Sequence, residues 1–157
     1  MSRAESRFAL QLTLQEGYRF TVSFGDEPFP ELTVDEPPPL GSGRGPNPAR
    51  LLATAVGQCL GASLLHCLRR SRIDVTGLRT TVEGTLVRNE RGRLRIGEIR
   101  VTLAPEVDPE QRERIGRCLE LFEDFCIVTE SVRHGFPVSV NVETPTAADQ
   151  AAVVNGG

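Results

Sequence analysis

The sequence predicts a protein of antiparallel strands and helices, built on two β-hairpins and one long uncharged helix. Three observations carry this. Apolar and polar residues alternate from Phe8 to Leu14 and again from Tyr18 to Phe24, across the turn signal Glu16-Gly17. The same alternation returns over Leu78–Arg88 and Leu94–Leu103, joined by the polar turn Asn89-Glu90-Arg91-Gly92. Between the hairpins, Leu51 to Leu68 contains no formally charged residue and spreads its apolar residues over every side of the helical wheel, the pattern of a helix buried all round.

The remaining elements follow in order. A short third strand is expected over Glu31–Val34, after which Pro37-Pro38-Pro39 and Gly41, Gly43 and Gly45 make a loop. Asn47 is a good N-cap and Pro48 suits a first helical turn, where its missing N–H is not required, so the long helix spans Asn47–Arg70. At 1.5 Å per residue that helix is about 35 Å long, against a radius of gyration of about 15 Å for a compact chain of this size, so two copies sharing one core, a homodimer, are expected. Its length also meets that of a membrane span, but Thr54, Gln58, Ser63 and His66 dilute the hydrophobicity, and a central helix is the reading adopted, with no membrane partner. Asp108 and Pro109 open a further helix, with Ile115, Cys118, Leu119 and Phe122 on one face. A short helix then begins near Cys126 and ends at Gly135, and a last strand covers Phe136–Val142. One domain is expected over residues 1–143, with a frayed tail over 144–157.

Composition narrows the chemistry. The 18 basic residues are all Arg, against 21 acidic ones, for a formal charge of −3. An acidic chain of this kind is not a general nucleic-acid binder, and without Lys it has neither a Schiff-base amine nor a Walker-type phosphate loop. The Gly41–Gly45 run is not a dinucleotide fingerprint, and Pro46 and Pro48 remove N–H groups that a phosphate would need. No cofactor is expected. The polar stretch Met1–Arg7 lacks a signal-peptide core, so a cytoplasmic location is expected.

The four cysteines are Cys59, Cys67, Cys118 and Cys126, and no two are spaced as a zinc knuckle, so no metal is expected. Cys126 stands at a helix N-terminus, where unpaired N–H groups stabilise a thiolate. Cys59, mid-helix, gains little from its own helix dipole and needs a cation from elsewhere. Cys67 lies about 12 Å further along that helix, too far to bond Cys59, so any disulfide must pair segments distant in sequence. Cys67 and Cys118 are read as core thiols, His66 as a hydrogen-bonded core residue, and His134 as standing at a helix C-terminus, where a cation is favoured.

Gly45-Pro46-Asn47-Pro48 entering a helix that carries Cys59, then two strands and a helix, then Cys126-Ile127-Val128-Thr129-Glu130-Ser131-Val132-Arg133-His134-Gly135 before a last strand, resembles the OsmC/Ohr family, the osmotically inducible and organic hydroperoxide resistance proteins. The resemblance implies an α+β fold, with antiparallel sheets packed around long central helices in an intertwined homodimer. It implies a thiol peroxidase in which Cys59 matches the peroxide-attacking cysteine and Cys126 the resolving one, reset by an external dithiol. It also places the active-site Arg near Arg19, with Arg44 and Arg50 as substitutes. Many relatives carry a Glu one or two residues past the helix-opening Pro that orients this Arg. Here Ala49 and Arg50 stand there, and Glu36 or Asp35, before the proline run, are the candidates to substitute for it. An OsmC-like dimer that senses redox state or binds an apolar ligand is the alternative.

Overall fold

The computed structural model describes residues 4–144, so all but the first residue of the expected tail lies outside the described residues. In chain order the elements are β1 (Gln11–Glu16), β2 (Arg19–Ser23), β3 (Leu32–Val34), α1 (Pro48–Arg70), β4 (Val75–Arg88) and β5 (Leu94–Val107). A run of short helical pieces follows: a 3-10 segment over Pro109–Ile115, α2 (Gly116–Leu121), a 3-10 turn over Phe122–Phe125, and α3 (Ile127–His134). The fold is α+β, with antiparallel sheets and a central helix.

Local chemistry sets the boundaries. Asn47 Oδ1 accepts the Arg50 backbone N–H at 3.0 Å and Pro48 occupies the first helical turn, so α1 starts where its capping residues stand. In the β4–β5 turn, Asn89 Oδ1 accepts the N–H groups of Arg91 (3.0 Å) and Arg93 (2.9 Å), while Gly92 takes the left-handed φ of 71° that the turn needs. β1, β2 and β3 form one antiparallel sheet in which Phe20 lies opposite both Leu14 and Val34. β4 and β5 form the other, with Val82 opposite Val101. α1 lies close on β4 because Gly57 and Gly61 face it; a Cβ on Gly57 would stand 2.5 Å from Val82 Cγ2.

The core runs along α1. Val56, Leu60, Leu64 and Leu68 recur every fourth residue and pack with Ile73, Cys118, Phe122 and Cys126. Leu64 and Leu68 are almost fully enclosed, each stabilising the fold by about 1.5–3 kcal/mol. One face of the helix thus holds β4–β5 and the α2–α3 segment together, and both reactive-thiol candidates sit along that seam.

Several expectations are corrected. α1 is not buried all round within one chain: of its most apolar 18-residue stretch, with mean hydropathy 1.6, only 33% is buried, although by length and composition it suffices to cross a membrane. Leu52 and His66 are exposed, so His66 is not a core residue; it lies on the side of α1 that no other element of the chain covers. The strand expected over 136–142 does not form. Phe136, Val138, Val140 and Val142 are 63–81% exposed, because no free strand edge of this chain comes beside them. The helix expected from Pro109 is broken into 3-10 and α pieces.

Accessible surface measures how much is left uncovered. The chain exposes 13144 Å², whereas a compact monomer of 17.2 kDa exposes about 7,800 Å². Part of the excess lies on residues 4–10 and 135–144, which are exposed and carry no helix or strand. Leu10, Leu12 and Leu14 of the first hairpin region, at 47–56% exposure, contribute to it.

Candidate thiol active site

α1 and the start of α3 bring Cys59 and Cys126 together. Cys126 caps α3 in an extended conformation (φ −83°, ψ 98°), just outside the helix, and its side chain is wholly buried. Cys59 is half-buried. Both thiols are free.

Their surroundings differ. Burial is the largest influence on Cys59 and pushes its thiol up; the hydrogen bond with Cys126 adds to this, and the backbone N–H groups of Val128 and Ile127 act against it. The free N–H groups at the start of α3 therefore face the sulfur of Cys59 from another element. For Cys126 burial again raises the thiol, but the hydrogen-bonding groups around it, the Thr129 hydroxyl first, then the Cys59 thiol, the Thr129 N–H and Ser63, outweigh it, and the result lies below the ordinary cysteine value. In the thiol form Cys126 Sγ donates to Thr129 Oγ1 at 3.0 Å, and Thr129 is itself buried. Cys126 is therefore the more acidic thiol, as its place at a helix N-terminus implies.

Sequence reasoning missed Ser63, Thr129 and the two N–H groups. Two signals pointed to the side chains: Ser63 stands one turn after Cys59 on α1, and Thr129 three residues after Cys126 at the start of α3.

The arginines are placed elsewhere. Arg19 Nη2 pairs with Glu16 Oε2 at 3.1 Å across the first hairpin turn, and no described interaction joins it to Cys59. The backbone N–H of Arg44 donates to Asp35 Oδ2 at 3.0 Å. Arg50 lines a cavity of about 300 Å³ between the start of α1 and the β4–β5 hairpin. Asp35 is engaged within its own loop: buried there, it accepts from the Glu36 N–H (2.8 Å), the Ser42 N–H (3.2 Å) and hydroxyl (2.7 Å), and the Arg44 N–H. These bonds, the Arg44 N–H first, hold its carboxyl below the usual carboxylate range. His134 is the last residue of α3, its Nδ1 lying 2.9 Å from the Glu130 carbonyl, and Gly135 caps the helix.

Cys67 and Cys118 are corrected from free core thiols to a disulfide. Their Cα atoms are 5.6 Å apart, within bonding range, and the bond ties the last turns of α1 to α2 across 51 residues. The meeting of these segments is a tertiary event, which composition and spacing do not reveal. Among the described residues no group of three or more His, Cys, Asp or Glu side chains is arranged to hold a metal ion.

A larger cavity of about 710 Å³ lies between α1, β5 and the α2–α3 segment; neither thiol lines it, and Thr129 is the residue it shares with their surroundings. Its walls are mostly apolar, including Val56, Leu60, Val101 and Phe122, with Glu123, Thr129 and Arg133 among its polar residues. Arg133 bridges Glu130 at 2.7 Å and Glu123 at 3.3 Å.

Comparison with known proteins agrees with this architecture. The family model of OsmC-like proteins matches residues 41–141. The OsmC-like protein of Mycoplasma pneumoniae superposes with a TM-score of 0.69 at 17% identity, covering 83% of this chain and 89% of that one. The organic hydroperoxide resistance protein OsmC of Legionella pneumophila gives 0.62 at 18% identity over 83% and 92%. The organic hydroperoxide resistance protein OhrB of Bacillus subtilis gives 0.56 at 23% identity over 80% and 91%. No curated protein sequence matches the chain. The match over residues 41–141 takes in α1, both long strands and the whole segment that carries Cys126, and on that span the chain belongs to the OsmC-like protein family.

Proposed function

We propose that the protein is a thiol-dependent hydroperoxide reductase in which Cys59 attacks the peroxide and Cys126 resolves the product. The observation that carries this is the meeting of two free thiols with unequal surroundings, one half-buried and one fully buried and acidic. Access assigns the roles: a peroxide reaches Cys59 more readily than the enclosed Cys126. The Cys59 thiolate attacks the O–O bond, takes one oxygen as a sulfenic acid, and the alkoxide leaves with a proton as the alcohol. The Cys126 thiolate then attacks that sulfur, forming the disulfide and releasing hydroxide, which leaves as water. An external dithiol returns both thiols by exchange. Two structural neighbours that share the fold are named organic hydroperoxide resistance proteins, which supports the substrate class.

The reading includes a cytoplasmic homodimer. The excess accessible surface and the uncovered side of α1 support a second copy. Arg19, not joined to Cys59 within its own chain, would reach that thiol from the partner and supply the cation that lowers it. Light scattering at micromolar concentration is expected to give twice the 17.2 kDa of the chain.

A second reading is carried by the 710 Å³ apolar cavity and by the absence of a carboxylate at Ala49 and Arg50: a redox-sensing or apolar-ligand-binding protein with weak turnover. Consumption of cumene hydroperoxide with a dithiol present separates the two. Turnover far above that of free cysteine supports the reductase; turnover no faster than free cysteine overturns it in favour of the second reading.

A further inference from the structure

The four cysteines form a ladder with two rungs. Cys59 and Cys67 stand eight positions apart on α1, and Cys118 and Cys126 stand eight positions apart on the segment that packs against it. The pairing is antiparallel: Cys59 meets Cys126, and about 12 Å further along the helix Cys67 is bonded to Cys118. Both rungs therefore join the same two pieces of chain.

The piece carrying Cys126 has little regular structure to fix its path. Between the rungs the chain passes from α2 through a 3-10 turn into the extended conformation of Cys126, so no continuous helix links Cys118 to Cys126. What holds it on α1 is tertiary: the enclosed Phe122, the Arg114 guanidinium donating to the Ser71 carbonyl at 2.9 Å, and the Cys67–Cys118 bond, with Ser71 Oγ 3.4 Å from Cys118 Sγ. Of these, the disulfide is the covalent anchor.

We propose that Cys67 and Cys118 form a second, non-catalytic disulfide whose role is to position Cys126 against Cys59. Its functional consequence rests on the reductase reading above. The bond forms at the expense of a hydroperoxide. Cys67, the half-buried member, attacks the terminal oxygen and releases an alcohol. The Cys118 thiol then displaces hydroxide from the Cys67 sulfenic acid, and the two thiol protons leave in the alcohol and in water. The distance between rungs keeps the pairs independent, so exchange between them does not scramble the ladder.

The first test is a thiol map. Mild dithiol treatment of the full-length protein, alkylation, proteolysis and mass spectrometry are expected to find Cys59 and Cys126 alkylated and Cys67 joined to Cys118. Alkylation of Cys67 and Cys118 under those conditions overturns the proposal. The second test measures closure of the Cys59–Cys126 disulfide by diamide, which needs no peroxidase activity, in the wild type and in Cys67→Ser. Closure is expected to slow about tenfold in the variant, as expected when the near-attack arrangement of two groups is loosened. Equal rates in a folded variant overturn the positioning role. Should Cys67→Ser fail to fold, Cys118→Ser, which retains the half-buried Cys67, is measured the same way, and wild type reduced at all four thiols provides the same comparison without substitution. A rate of Cys59 sulfenic acid formation with cumene hydroperoxide that changes less than twofold in the variant assigns the effect to Cys126. A wild type that closes tenfold faster with diamide but forms no sulfenic acid leaves the positioning role standing and removes the reductase reading alone.

Discussion

The two rungs of cysteines lie on one helix and one facing segment, yet they differ in every property that governs thiol chemistry. At Cys59 and Cys126 the start of α3 directs N–H groups at the pair, Thr129 and Ser63 add hydroxyls, and both sulfurs are free. At Cys67 and Cys118, Cys118 lies inside the first turn of α2 rather than ahead of it, it is enclosed, and the sulfurs are bonded. The difference lies in what surrounds each sulfur: Cys126 precedes its helix with Thr129 and Ser63 beside it, whereas Cys118, within its helix, meets the sulfur of Cys67.

Substitutions that erase one rung at a time break this comparison most strongly. Cys59→Ser is expected to lower hydroperoxide turnover by at least about a thousandfold, since the serine hydroxyl is a far weaker nucleophile, and a coupled peroxidase assay reads it. Cys126→Ser is expected to consume a single equivalent of peroxide and stop at a Cys59 sulfenic acid, visible as one added oxygen in the intact mass. If both variants keep full turnover, neither thiol is part of the chemistry. Gly57→Ala attacks the scaffold that both rungs share, because the new methyl meets Val82 at the α1–β4 contact. It is expected to cost about 1–3 kcal/mol in urea denaturation, the usual penalty for overpacking.

Smaller changes sharpen the contrast. Thr129→Val removes the hydroxyl 3.0 Å from Cys126, so the pH at which Cys126 is alkylated should move up while that of Cys59 moves less. The smallest effect is expected outside the rungs, at Asp35. Its folded carboxyl is lowered by the Arg44, Ser42 and Glu36 hydrogen bonds, so it contributes stability above the ordinary carboxylate range and loses it as pH falls through the lowered value. Asp35→Asn should therefore lower the melting temperature at neutral pH and narrow the gap to wild type in acid, as read by thermal denaturation across pH.

Much of the fold was legible because it is written in local punctuation. Asn47-Pro48, Asn89 with Gly92, and Asp108-Pro109 each act within a few residues, and each marks a boundary in the structure. Cys126 at the start of α3 was legible for the same reason. Features that depend on distant segments were not. The Cys67–Cys118 bond requires α1 to meet α2 across 51 residues. The N–H groups that face Cys59 come from a helix near the other end of the chain. Residues 136–142 have the alternation of a strand but lie beside none of the free sheet edges, and His66 lies on a side of α1 that this chain alone leaves open. Alternation reports which residues want cover and does not report what supplies it.

The central claim, that the reactive rung is Cys59 with Cys126, is tested most directly by one equivalent of cumene hydroperoxide added to the protein with those two thiols reduced, followed by peptide mapping of the disulfides. The account predicts loss of two thiols per chain, a new Cys59–Cys126 bond and an unchanged Cys67–Cys118 bond. Retention of both free thiols, or oxidation that leaves Cys59 untouched, would contradict it.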